Sequence, residues 1–237
     1  MITFSGSTIS SGVRTIEELN PVVTTGLQLY LDAGNASSYS GSGTAWNDLS
    51  GQNKNFTWNA SPSFVSDGAS SYFNTLNNYA SGPASNSFGV TNATGYCVML
   101  ACLNITLTNN VAFNWNGGGG RGIYSHIPYS DNNIYWDQGG CCNADTRTSV
   151  ASGGATTWNI WTFNRKSSTN RSIYKNGTIL TTNTTTAADP ALNANLVIIN
   201  VGAVWNARLS FMMLYNRGLS DAEVLQNFNA LRGRYGI

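Results

Sequence analysis

Charge is what this sequence has least of. Lys, Arg, Asp and Glu make up 10% of its 237 residues, and the formal net charge is +1. An ordinary soluble domain carries about 25% charged residues. The near-neutral balance offers no electrostatic footprint for nucleic acid or for an anionic membrane surface. Glutamate occurs only as Glu17, Glu18 and Glu223, and His126 is the single histidine. A Ser-His-Asp triad would have to use His126, which falls on an expected strand with no nucleophile elbow nearby, so a hydrogen-bonded structural histidine is expected there. One histidine without a cysteine pair at ligand spacing does not make a zinc site. No apolar run reaches the roughly 20 residues of a membrane-spanning helix. The start, Met1-Ile2-Thr3-Phe4-Ser5-Gly6-Ser7, lacks a basic leader followed by an apolar stretch, so no secretory signal is expected.

Cysteine is also sparse: Cys97, Cys102, Cys141 and Cys142. Cys97 and Cys102 are five apart on a strand-like run and should face opposite sides. Adjacent cysteines rarely bridge each other. The spacing fits neither a zinc site nor a dense disulfide framework, so buried free thiols are expected, with a bridge from Cys141 or Cys142 to another cysteine left open.

Asn, Ser, Thr and Gly carry the polar surface in place of charge. Hydrophobic residues at 41% and aromatics at 11% supply enough apolar surface for one sizeable core. Trp158-Asn159-Ile160-Trp161-Thr162-Phe163-Asn164-Arg165 and Ile173-Tyr174-Lys175 read as strands, and Asn176-Gly177 then turns the chain back, because both residues tolerate positive φ. Residues 95–103 form the longest apolar run, whose length and flanks predict a strand buried on both faces. Further short strands, separated by Gly and Asn turns, predict an all-β, two-sheet antiparallel sandwich over residues 26–237. Residues 1–25 lack alternation and read as an N-terminal extended arm that either docks on a partner or frays. Its docking residues would be Ile2, Phe4, Ile9, Val13, Arg14 and Ile16. One short helix is signalled at the C-terminus. Ser220-Asp221-Ala222-Glu223 is a capping box, Val224, Leu225, Phe228 and Leu231 share a helical face, and Gly233 is placed to end it. Gly117-Gly118-Gly119-Gly120-Arg121-Gly122 lacks the Lys-Ser/Thr ending of a phosphate loop and reads as a loop between strands.

Residues 26–55, the tryptophan hairpin at 158–180, the segment 201–237 and, more weakly, Asn133-Ile134-Tyr135-Trp136-Asp137-Gln138-Gly139-Gly140 resemble the laminin-G-like branch of the concanavalin A-like lectin/glucanase superfamily. The opening piece and the ending Tyr215-Asn216-Arg217-Gly218-Leu219-Ser220 onward resemble versions found in bacteriophage and other viral structural proteins. The resemblance implies a jelly roll of two large sheets, one of them curved. It does not by itself imply an activity, since this fold hosts lectins, glycosidases, adhesion modules and scaffolds.

Glycosidases of that superfamily place carboxylates two residues apart on one strand, facing the cleft. No strand here carries Asp or Glu at i and i+2, so no catalytic residues are assigned and the chain is expected not to be an enzyme. Sugar binding needs aromatic faces beside amide and carboxylate groups, since a sugar presents both C–H faces and hydroxyls. Tyr129, Asn133, Tyr135, Trp136, Asp137, Gln138 and Asn143 form one such set. Trp46, Asn47, Asp48 and Trp58 form a second, with core packing as the alternative for each tryptophan. No cofactor is expected, apart from calcium through Asp131, Asp137 and Asp145, which are also ordinary turn residues.

The resulting expectation is a virion surface structural protein, a head decoration or tail-fibre module on the particle exterior, made in the host cytoplasm. Its partners would be capsid or tail subunits, further copies of itself and cell-surface glycans, with no nucleic acid and no membrane. A stand-alone carbohydrate-binding lectin is the alternative, and a glycoside hydrolase the third reading.

Overall fold

The computed structural model describes residues 21–115, 122–140, 142–186, 189–191, 195–198 and 205–237. Its architecture can be followed from the Asn-Gly turn outward. Asn176 and Gly177 take φ of 51° and 76°, and they join β13 (Asn170–Lys175) to β14 (Thr178–Asn183) as an antiparallel hairpin. A side chain at Gly177 would strike Phe228 of the C-terminal helix, so the same glycine permits both the turn and the docking of that helix. β13 pairs on its other edge with β12 (Asn159–Ser167), which pairs with β7 (Tyr96–Asn104), which pairs with β16 (Ala207–Tyr215). The far edge of β16 is shared by β1 (Leu27–Asp32) and β5 (Tyr72–Asn74), and β4 (Ser63–Val65) closes this sheet.

The second sheet runs in the order β11 (Arg147–Ala151), β10 (Asn133–Gln138), β9 (Ile123–His126), β8 (Phe113–Trp115), β15 (Asn195–Ile198), β6 (Ala80–Ala84), β3 (Phe56–Trp58) and β2 (Ala45–Trp46). Every strand pairing in the two sheets is antiparallel. The expected two-sheet sandwich with a C-terminal helix is therefore what forms. The arm residues Ile2, Phe4, Ile9, Val13, Arg14 and Ile16 lie outside the described residues, as does the Gly117–Gly120 loop. Pro21 and Val23 are tied to the helix. Asn227 accepts from Val23 N at 2.8 Å, and Gln226 donates to the Pro21 carbonyl at 2.8 Å.

The apolar run of β7 is buried on both faces because the sandwich carries a third layer. Tyr96, Val98, Leu100 and Cys102 point between the sheets, whereas Cys97, Met99 and Ala101 point toward α1 (Asp221–Leu231). Cys97 and Cys102 thus lie on opposite sides, as their odd spacing predicts, and both are buried free thiols. Burial pushes both thiols well above the ordinary range, which leaves them unreactive as nucleophiles. Cys142 takes the alternative left open for it: it is disulfide-bonded.

Helix α1 begins as its sequence predicts. Ser220 Oγ accepts from Glu223 N at 3.2 Å, and Glu223 accepts from Ser220 N at 2.8 Å. Val224, Phe228 and Leu231 are buried against the sheet, but Leu225 is turned to solvent. Gly233 does not end the helix. The chain tightens into a 3₁₀ turn over Arg232–Tyr235, and Gly236, at φ 67°, provides the left-handed stop. Arg217 donates to both Glu223 oxygens, at 3.0 and 2.6 Å. These bonds, opposed by partial burial, bring the Glu223 carboxyl from its ordinary 4.5 down to about 2. A depressed carboxyl contributes stability above its unfolded-state value and loses it as the pH falls toward the folded one. Glu223→Gln should therefore cost about 1–2 kcal/mol at neutral pH after allowance for solvent screening. The parent and the variant should converge between pH 4.5 and about 2, as read by urea unfolding followed by circular dichroism.

Candidate functional site

Strand alternation sets out the second sheet's solvent side at its β9–β10–β11 end. Ile134, Trp136 and Gln138 of β10 are wholly buried toward the other sheet, so Asn133, Tyr135 and Asp137 point the other way. Register then selects their neighbours. Tyr135 lies opposite His126 of β9 and Ser149 of β11, and Asp137 lies opposite Tyr124 and Arg147. The turn after β9 carries Tyr129 back over this face. Asn132, at φ 65°, donates to the Tyr129 carbonyl at 2.9 Å, and Tyr129 N donates to the Asn133 carbonyl at 2.8 Å.

Three rings meet there nearly edge to face. His126 and Tyr129 have centroids 5.1 Å apart, Tyr129 and Tyr135 5.9 Å, and His126 and Tyr135 6.3 Å. The Arg147 guanidinium stacks 4.2 Å from the centre of the Tyr135 ring. Its outer edge grips Asp137 through two hydrogen bonds, from Nε at 2.6 Å and from Nη2 at 2.7 Å. His126 Nε2 lies 3.8 Å from the same carboxylate, and His126 Nδ1 pairs with the Asn110 carbonyl. Burial pushes the Asp137 carboxyl up, but Arg147 and His126 outweigh it and hold the group below the usual range. At the rim, Asp131 accepts from the Tyr135 hydroxyl at 2.5 Å and from Asn133 N at 3.0 Å. The Tyr135 bond lowers the Asp131 carboxyl and raises the phenol. The product is a half-exposed aromatic patch in which Arg147 and Asp137 neutralise each other, ringed by hydroxyl, amide and carboxylate oxygens.

Of the first sequence-predicted set, Tyr129, Asn133, Tyr135 and Asp137 come together, Asp137 as a buried support beneath the others. Trp136 does not join them. It is 0% exposed and packs against Tyr96 and Phe163 between the sheets. Its place in the strand has the opposite parity to Tyr135. Asn143 and Asp145 lie exposed in the turn before β11, where the Asn143 carbonyl accepts from Thr146 N and Arg147 N. The second set dissolves. Trp46 and Trp58 are stacked in the core, 5.6 Å apart. Asp48 organises a turn, accepting from Tyr30 N, Ser50 N, Ser50 Oγ and Lys54 N at 2.7–3.0 Å. The calcium candidates Asp131, Asp137 and Asp145 do not converge, and among the described residues no three His, Cys, Asp or Glu side chains gather at metal-binding distance. Arg147 was missed. Only the register of β10 on β11 brings it opposite Asp137, and the long intervening turn hides that register. His126 is hydrogen-bonded, as expected of a structural histidine, yet it also forms a wall of the patch.

No protein-family model and no curated protein matches this sequence. Solved structures do share the fold. Domain 4 of a GH43 extracellular arabinanase from Geobacillus stearothermophilus, in complex with arabinotriose, is similar at 13% identity, with TM-score 0.66, covering 85% of this chain and 97% of that one. Trypanosoma rangeli sialidase is similar at 14% identity, with TM-score 0.61 over 88% of this chain. An HCR/D mutant gives 13% identity and TM-score 0.66, over 87% of this chain and 52% of that one. The chain spans about a third of the length of the sialidase it matches, 33%. At such identities the likeness shows the β-sandwich fold and nothing finer. It also overturns the expectation that the chain is not an enzyme. That expectation rested on the absence of a carboxylate pair two residues apart on one strand, and the same sandwich occurs within a sialidase and an arabinanase.

Proposed function

We propose that the outer face of β9–β10–β11 binds carbohydrate through Tyr129 and Tyr135. The observation that carries this reading is the half-exposed aromatic patch of His126, Tyr129 and Tyr135 beside the Asp131 and Asn133 oxygens. Aromatic faces take the C–H side of a sugar, and the surrounding amide and carboxylate groups take its hydroxyls. Because Arg147 is neutralised by Asp137, the face suits neutral sugars. The arabinotriose complex of the structurally similar arabinanase domain makes pentose oligomers the first probes.

Tyr135→Ala should weaken binding about tenfold, equivalent to ~1.4 kcal/mol, in calorimetric titrations with oligosaccharides selected on a glycan array. An array without a hit, or an unchanged affinity in the variant, would sink the reading. Release of reducing ends from the same oligosaccharides, compared between the parent and Asp137→Asn, measures turnover in the same samples.

A second reading places this sandwich on the exterior of a virion, docked to capsid or tail subunits through residues 1–25. Its support is the resemblance of the opening and closing sequence pieces to viral structural proteins. Deletion of residues 1–20 should abolish incorporation into particles, and undiminished incorporation would refute it.

A further inference from the structure

At one end of the sandwich the described residues enclose more positive charge than they pair. Arg165 of β12 and Arg171 of β13 are direct cross-strand partners. Both point between the sheets, since Phe163 and Ile173, two residues away on the same strands, belong to the inter-sheet core. Each arginine is 0% exposed. Tyr96 of β7 is the other cross-strand neighbour of Arg165, so Tyr96, Arg165 and Arg171 form one row across three strands. Like charges directly opposite in a sheet repel, and a desolvated guanidinium needs a counter-charge.

The protein provides one. Arg165 donates to Asp189 at 2.9 Å and to Gln138 Oε1 at 3.0 Å, and the Asp189 side chain is 53% exposed. Among the described residues Arg171 donates to uncharged acceptors, the Thr146 carbonyl at 3.3 Å, the Thr185 carbonyl at 3.0 Å and the Thr185 hydroxyl at 3.3 Å, and feels the Asp145 charge without a hydrogen bond to it. Burial first, then the Arg165 charge, push the Arg171 guanidinium below its ordinary range. Several buried donors around this row have no hydrogen-bond partner among the described residues. They are Nε of both arginines, Nε2 of Gln138, and the indole N–H groups of Trp115 and Trp136, together with the Tyr96 hydroxyl. Both indoles pack edge-on against Tyr96, with centroids 5.3 and 5.9 Å away. Water would accept from such donors but would leave the excess charge standing. An anion answers both deficits.

We propose that this inter-sheet cluster binds a small inorganic anion of halide size between Arg165 and Arg171. A monovalent ion fits the enclosed setting, because a multiply charged oxyanion loses far more hydration on entering it. The site is independent of the sugar-binding face, which lies on the opposite side of the second sheet.

The test is thermal unfolding of the full chain dialysed into sodium gluconate. Sodium chloride or bromide is then titrated in at constant ionic strength. Both halides should raise Tm saturably, by roughly 5–10 °C at a hundredfold excess over Kd, and added gluconate should not. Arg171→Met should lose this response while keeping the parent's sugar affinity. Equal shifts from every salt, or a full halide response in Arg171→Met, would overturn the proposal. If Arg171→Met does not fold, bromide-soaked crystals of the parent decide. An anomalous peak within hydrogen-bonding distance of both guanidiniums supports the site, and none there rejects it.

Discussion

Replacing Asp32 with alanine should lower the unfolding free energy by about 3–5 kcal/mol, one of the two largest single-residue effects expected in this protein. Asp32 ends β1 on the helix side of the first sheet, and Arg234 reaches it from the C-terminal 3₁₀ turn through two hydrogen bonds of 2.6 and 2.8 Å. Their side chains are only 6% and 5% exposed. The Tyr30 hydroxyl and Gly34 N also donate to the carboxylate, at 3.0 and 2.8 Å. Burial, then the Asp32 charge, push the Tyr30 phenol far above its ordinary range, so it stays a neutral donor. Alanine at 32 would remove the carboxylate that takes two hydrogen bonds from the buried Arg234 guanidinium. It would also release the turn that seals the edge of the helix layer. Urea unfolding should show the loss. The double variant Asp32→Ala/Arg234→Met should recover part of it, because the buried charge that lost this carboxylate is then gone as well. A single-variant loss below 1 kcal/mol would show that the pair merely accompanies packing set elsewhere.

Phe73→Ala should cost a similar ~3–5 kcal/mol. Phe73 is wholly buried on β5, at the far end of the sandwich from the two inward arginines. Its ring lies 4.7–5.5 Å from those of Trp58, Trp46, Tyr39 and Phe64. These come from both sheets and from the loop after β1, so this one ring joins three segments. Large rigid neighbours collapse poorly into a void, which places the loss at the upper part of the range for aromatic deletions. Phe73→Leu should retain most of the stability. A chemical-denaturation midpoint for Phe73→Ala equal to that of Phe73→Leu would contradict the assignment.

Tryptophan shows how far strand periodicity carries and where it stops. Trp158–Arg165 and the Asn-Gly hairpin were legible because alternation and positive-φ tolerance are local properties. β7 was legible because it must be apolar on both faces. Parity along β10 separates Tyr135 from Trp136, but it does not say which parity faces solvent. That depends on the other sheet, which buries Trp136 against Tyr96 and Phe163. A sugar-binding reading drawn from composition therefore gathers both neighbours, and only burial removes one. Trp46 fails for the same reason. Asp48 fails because a turn's backbone donors consume its oxygens.

The amino-acid sequence alone determined the antiparallel sandwich, the doubly buried strand, the capping box and the near-neutral surface, because each follows from neighbours within a few residues of one another. Tertiary structure decided which aromatics reach solvent, that Arg147 neutralises Asp137 across a register no local pattern reveals, and that Arg165 and Arg171 meet between the sheets. Those outcomes depend on strand order and on the packing of distant layers, where burial, not residue type, assigns each side chain its role.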